Sequence, residues 1–153
     1  MSKEVKADFG ILLNLAFHSF KTALEISLAE AGFDDVGVSF GYVFRLLADS
    51  QLSLREVAER LKITPQGASK IVNEMVKKDY VTRGEDPFDK RIVRFMLTKR
   101  ALKALESARR FHELFEAEIA QRMGAARAAT TRRVLEDIIE QSGGLGAETA
   151  RPA

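Results

Sequence analysis

Between residues 64 and 94 the chain gathers side chains suited to gripping a polyanion and reading base edges. Gln66, Ser69, Lys70, Asn73 and Lys77 are separated by three or four residues or their combinations, which puts them on one face of a helix. Gln and Asn can pair bidentately with adenine N6 and N7, and Lys donates to guanine O6/N7 or to phosphate. Thr64 and Lys77 stand at the ends of that face, where contacts to backbone phosphates position a helix without reading sequence. A second basic group follows at Asp89-Lys90-Arg91 and Arg94. Arg91 suits a narrow A·T-rich minor groove, and Lys90 and Arg94 suit phosphate. Asp89 has two readings: an ion pair that orients Arg91 or Arg83, or plain turn formation, which is also open to Asp86.

The elements that must hold these groups are legible around them. Ser53 followed by Glu56 is a capping box that opens a helix carrying Val57, Ala58 and Leu61 on one face. Thr64 as N-cap and Pro65 at the first helical position open the next helix. Its buried stripe is Ala68, Ile71, Val72, Met75 and Val76, opposite the polar face, and Gly67 leaves room for close approach. The small Ala58 and Ala68 suit two helices that cross closely in a helix-turn-helix. Next, 80–83 and 92–97 read as two strands, the second with Val93, Phe95 and Leu97 alternating against Ile92, Arg94 and Met96. Residues 84–91 hold Gly, Asp and Pro and make the turn. The predicted unit is a helix able to enter a major groove with a basic hairpin, or wing, beside it.

This segment resembles the winged helix-turn-helix of the multiple-antibiotic-resistance regulator (MarR) family of bacterial transcription factors. The resemblance rests on Val57-Ala58 with Leu61, Ile63-Thr64, Val76-Lys77-Lys78 followed by Val81 and Arg83, Asp89-Lys90-Arg91, and Leu97-Thr98. Length and helical flanks extend it over roughly residues 5–142. Asp79 stands where the family usually has Gly, and Lys62 takes a turn position where many helix-turn-helix sequences place Gly. Asp is among the few other residues that tolerate the left-handed conformation, so the turn at 79 is expected to survive.

The resemblance implies a dimeric, sequence-specific regulator with repression as the expected mode. Recognition helix 64–78 would lie in the major groove and wing 84–92 in the minor groove of a pseudo-palindromic operator. The expected contacts are Thr64, Pro65, Gln66, Ser69, Lys70, Asn73 and Lys77 on the helix, and Asp89, Lys90, Arg91 and Arg94 on the wing. It also implies an effector pocket between the dimer helices and the winged helix for a small aromatic acid or phenol. In this chain Phe17, His18, Phe20 and Tyr42 would line it, with Arg45 as anion partner. The alternative is a winged-helix protein–protein module without specific DNA binding, which would present an apolar or acidic face on the second helix.

Composition narrows the classes further. The 153-residue chain is 46% hydrophobic, which suits one compact domain or an intertwined dimer subunit. It has no Cys, which excludes disulfides and thiol redox sensing. Two histidines far apart, His18 and His112, make no metal cluster or nucleophile–base pair. No metal, cofactor or enzymatic activity is therefore expected. With no signal-like N-terminus or transmembrane-length apolar run, the expected location is the bacterial or archaeal cytosol, at the nucleoid. Net charge is +2, yet residues 51–100 hold 12 Lys/Arg against 7 Asp/Glu, a local +5 beside −3 in the remainder. Positive charge is concentrated where phosphate contacts are expected.

The flanks predict the mainly α fold class, with a small β-hairpin wing between long terminal dimerisation helices. Val5, Phe9, Leu12, Leu13, Ala16, Phe20, Leu24 and Leu28 keep helical period to about Ala31, widened by Ile11, Leu15 and Phe17. Ser39 is read as the cap of a helix to Asp49, with Gly41, Val43, Phe44, Leu46 and Leu47 inward. From Thr98 a helix carries Leu102, Leu105, Ala108, His112, Phe115, Ile119 and Met123, and Gly124 interrupts it. A last helix, 126–141, presents Thr131, Val134, Leu135, Ile138 and Ile139. The division is therefore 1–36 with 98–142 for dimerisation, 37–97 for DNA binding, and a Gly/Ala-rich tail at 143–153 expected to be disordered.

Overall fold

The computed structural model describes residues 7–37 and 39–141, so Val5 and the tail at 142–153 lie outside it. Helix α1 (Phe9–Glu30) leads to α2 (Phe40–Leu47), strand β1 (Leu52–Ser53), α3 (Leu54–Leu61) and α4 (Pro65–Lys77). Strands β2 (Val81–Glu85) and β3 (Val93–Leu97) then precede α5 (Lys99–Met123) and α6 (Ala125–Gln141). None of the described helices is long and apolar enough to cross a membrane.

Local chemistry starts and stops most of these elements. The Ser53–Glu56 capping box is complete: Glu56 N–H donates to Ser53 Oγ, and Ser53 N–H donates to Glu56 Oε2 at 2.8 Å. Thr64 caps α4, Thr98 caps α5, and Asp8, which has no counterpart among the expected caps, starts α1. Ser39 precedes α2 but makes no side-chain capping bond, and the helix ends at Leu47 rather than Asp49. Lys62 and Asp79 both adopt left-handed backbone, with φ of 52° and 60°. Gly124, at φ 87°, lets α5 turn into α6. An L side chain is strained at such a φ. Asp79→Gly is therefore expected to raise stability by about 0.5–1 kcal/mol, read as a higher thermal midpoint.

The sheet has three strands, not the two of the hairpin alone. Its order is β1-β3-β2, all antiparallel, with Leu52 opposite Phe95 and Ser53 opposite Arg94. The hairpin pairs Val81 with Leu97 through Glu85 with Val93, so its strands are 81–85 and 93–97 rather than 80–83 and 92–97. A two-residue strand carries no periodic signal of its own. It is created by the partner β3.

The core joins α2, α3, α4, the sheet and the start of α5. Phe40, Val43, Val57, Ala68, Val72, Met75, Tyr80 and Ala101 are fully enclosed. Gly41 is exposed rather than inward; Phe40, one residue earlier, takes the central place and meets the rings of Phe44 and Tyr80. Further out, α1 lies on α5, where Phe20 packs against Phe111, His112 and Phe115 at centroid distances of 5.0–5.7 Å.

A polar joint ties three segments to this core. Tyr80 Oη donates to Asp35 Oδ1, and Arg100 Nη2 donates to both, at 2.8 Å and 3.1 Å. Lys78 Nζ adds a 3.0 Å bond to the Asp35 carbonyl. Burial pushes the Asp35 carboxyl up, but hydrogen bonds from Tyr80 and Arg100 outweigh it and hold the group below the usual range. Burial, then the Asp35 carboxylate, pushes the Tyr80 phenol from 10.0 to about 12. The folded state thus keeps a proton that the unfolded chain releases at lower pH. Stability from this source is complete below pH 10 and is lost as pH rises toward about 12. Tyr80→Phe is expected to flatten that alkaline limb in pH-dependent denaturant melts.

Candidate nucleic-acid interface

Helix α4 presents the polar face that the sequence predicts. Thr64 Oγ1 accepts from Gly67 N–H at 3.1 Å and Pro65 sits in the first turn, so the helix begins rigidly. Thr64, Pro65, Gln66, Lys70, Asn73 and Lys77 are exposed, and Ser69 is half-buried. The opposite stripe of Ala68, Val72 and Met75 is wholly buried, with Ile71 and Val76 partly so. Buried and open faces therefore divide along the helix, and the open one offers donors and acceptors without a carboxylate from Gln66 to Asn73.

One chain of hydrogen bonds crosses from this face to the sheet. Asn73 Nδ2 donates to Ser69 Oγ at 3.1 Å, and Arg83 Nη2 donates to Asn73 Oδ1 at 2.6 Å. Both polar ends of Asn73 are therefore engaged, and the arrangement holds the Arg83 guanidinium beside the recognition face. Sequence reasoning uses Arg83 in the family motif and as a partner for Asp89, and does not place it beside this face. The only local signal is a cation two residues past the buried start of β2.

The wing is held at its root by carboxylates. Asp86 Oδ1 accepts from the backbone N–H groups of Phe88 and Asp89, at 2.9 Å and 3.0 Å. Its Oδ2 accepts from Arg94 Nε at 2.6 Å, and Arg94 Nη1 donates onward to Glu56 Oε2. The Phe88 N–H and then Arg94 hold the Asp86 carboxyl below its ordinary range. Glu56 is likewise lowered, chiefly by the Ser53 N–H. Arg94 departs from the expected phosphate contact: its side chain is 24% exposed and lies between two carboxylates, so its charge serves the protein. Asp89 also departs from the ion-pair reading, since its Oδ1 accepts from the Arg91 backbone N–H at 2.9 Å and shapes the turn. Lys90 and Arg91 stand exposed at the tip, together with Phe88.

The five residues expected to line an effector pocket are only partly brought together. Phe20 packs on His112 of α5, whose pKa is lowered by burial and then by the charge of Arg45. Phe17 is 62% exposed, His18 is also exposed, and Tyr42 is half-buried on α2. A groove of about 390 Å³ lies elsewhere, between α1 and α6, lined by Phe9, Leu12, Leu13, Ala16, Thr130, Thr131, Val134 and Leu135. No group of side chains with metal-binding composition occurs among the described residues.

Residues 41–92 match the model of the MarR family. No curated protein matches the chain. The fold resembles Streptococcus pneumoniae FabT in complex with DNA, at 20% identity and TM-score 0.71 over 90% of this chain and 99% of that one. It also resembles RV1404 from Mycobacterium tuberculosis, at 18% identity and TM-score 0.70 over 91% and 97% of the two chains. A third similar structure is a mutant of MarR from E. coli complexed with operator DNA, at 19% identity and TM-score 0.65 over 87% and 99%. Identities this low speak for the fold alone. The winged-helix segment is thus similar to the MarR family, and the terminal helices complete the fold seen in these structures.

Proposed function

We propose that this protein is a dimeric, sequence-specific DNA-binding transcriptional regulator. The observation that carries the reading is the exposed face of α4, Gln66, Lys70, Asn73 and Lys77, set beside a braced wing that offers Lys90 and Arg91. α4 would enter the major groove, with the wing in the adjacent minor groove. The DNA-bound FabT and MarR structures, which share the fold, support this placement. A face of this composition does not suit the protein-interaction alternative, which needs an apolar or acidic surface. Occupancy of an operator excludes other proteins from the same duplex, and repression is the output we assign.

Dimerisation is part of the reading. Phe9, Leu12 and Leu15 on α1 and Val134, Leu135, Ile138 and Ile139 on α6 are between 39% and 58% exposed, an apolar surface that a second copy would cover. Residues 1–36 with 98–142 then form the dimerising part, and 37–97 the DNA-binding part. The operator would be a pseudo-palindrome with half-site centres one helical turn apart, about 34–36 Å. For release by a small aromatic acid or phenol the candidate lining is Phe17, His18, Phe20 and Tyr42 with Arg45 as anion partner, of which Phe20 packs on His112 of α5. An effector that prefers the free form raises the melting temperature in the absence of DNA.

The test is selection from random duplex DNA by the purified protein. A palindromic winner bound by one dimer is expected, and enrichment of no sequence would overturn the reading. On the selected site, Asn73→Ala should relax preference at one or two bases. Arg83→Ala should relax the same bases and couple to Asn73→Ala in a double-mutant cycle, because the two share a hydrogen bond. Competition against single-base operator variants reads both effects. Uniform weakening at every site would remove the base-reading role of Asn73.

A further inference from the structure

We propose that Phe88 is an apolar wedge that the wing inserts into the minor groove of duplex DNA, distorting the operator at that point. The inference rests on the DNA-binding reading above and adds to it a contact that is neither a phosphate clamp nor a base-edge hydrogen bond.

Phe88 is 97% exposed, more than any other large apolar side chain among the described residues; the next, Leu114, is 65% exposed. A flexible loop could fold such a ring back onto the protein. This one is held out. The Phe88 N–H is bonded to Asp86 Oδ1, as is the next N–H along, and Asp89 fixes the following turn through the Arg91 N–H. Asp86 is in turn tied through Arg94 to Glu56 in α3. The bracing that engages Arg94 between two carboxylates thus leaves an aromatic ring pointing into water.

The surroundings favour DNA as the occupant. Lys90 and Arg91 are exposed two and three residues after the ring, and the Asp89 side chain that precedes them is engaged with its own backbone. Glu85, the other exposed carboxylate of the wing, lies at the end of β2 opposite Val93 rather than at the tip. A ring accompanied by cations that neutralise phosphate at the edge of a groove is carried to the groove floor by the same docking. The minor groove is about 6 Å wide, too narrow for a helix but open to a ring edge-on. Apolar side chains placed there unstack base steps and kink the duplex toward the major groove.

The experiment uses the full chain and the duplex selected above. Phe88→Ala should weaken binding about 10- to 100-fold, the loss appropriate to one apolar side chain returned to water. Its salt dependence should be unchanged, because the ring releases no counterions. Arg91→Ala should instead make the salt dependence shallower. The bend reported by circularly permuted duplexes should shrink with Phe88→Ala and partly return with Phe88→Leu. The sequence holds no Trp, so Phe88→Trp places the chain's sole indole at the tip. Its fluorescence should be quenched by duplex and shielded from acrylamide. Full affinity and bend in Phe88→Ala, with an indole that stays accessible, would overturn the wedge while leaving DNA recognition standing. Unchanged DNA affinity with an altered oligomeric state would move the ring to a contact between copies and also overturn it. A wild-type protein that selects no duplex would sink both readings.

Discussion

Raising salt from about 50 to 200 mM should lower operator affinity about ten-thousandfold. Each phosphate neutralised by Lys or Arg releases condensed counterions, and for duplex DNA the logarithm of affinity falls by about 0.9 per phosphate per decade of salt. Four contacts from each half of the proposed dimer give about eight phosphates and a slope near −7. The exposed cations Lys70, Lys77, Lys90 and Arg91 can supply this number from each copy. Arg94 is left out of the sum because its guanidinium already lies between Asp86 and Glu56. Fluorescence anisotropy on the selected duplex across that salt range measures the slope. A value near zero would show that the basic segment is not a phosphate-binding surface.

Phe40→Ala should destabilise the fold by about 3–5 kcal/mol, the largest loss we expect from any single side chain here. Phe40 has no exposed surface and meets Phe44 and Tyr80 edge-on, at centroid distances of 6.3 Å and 5.8 Å. Lys78 Nζ lies 5.3 Å from the ring centre, and the backbone at Gly37 passes so close that a Cβ there would stand 2.9 Å from the ring. Neighbours hemmed in by helix and sheet cannot close the void, so the cavity term adds to the lost burial. Denaturant unfolding should show a lower midpoint at unchanged slope. A loss below about 1 kcal/mol would mean that the site collapses around the smaller side chain. Gly37→Ala, which presses on the ring instead of removing it, should be milder.

The parts of this molecule that are legible in the sequence are those decided within a few residues. Ser53 with Glu56, Thr64 with Pro65, and Thr98 start helices because each satisfies a backbone group three positions away. Lys62 and Asp79 stand out as turn positions, and both take the left-handed backbone. The polar face of α4 follows from helical spacing alone. What could not be read is decided across the chain. The Tyr80–Asp35–Arg100 joint spans separations of 45 and 65 residues. Strand β1 exists only because β3 lies beside it, and that register sets Arg94 opposite Ser53, within reach of Glu56. An Arg on a basic hairpin looks like a phosphate ligand until its register is known. Gly41 and Phe40 exchange roles because the phase of α2 is set by packing, with Phe40 buried against Phe44 and the distant Tyr80.

The brace from Asp86 through Arg94 to Glu56 bears on how such proteins can be recombined. Its two links join residues 8 and 38 positions apart in sequence, and only the first lies within the hairpin. Exchanging residues 84–92 alone for those of another protein would remove Asp86 while Arg94 and Glu56 stayed behind with half of their circuit. A chimera that retains the wing's posture has to carry positions 56 and 94 with the loop. Inheritance of the tip is therefore linked to the first turn of a helix that never leaves the body of the protein, and hybrids built on contiguous segments would inherit the residues of a wing without its stance.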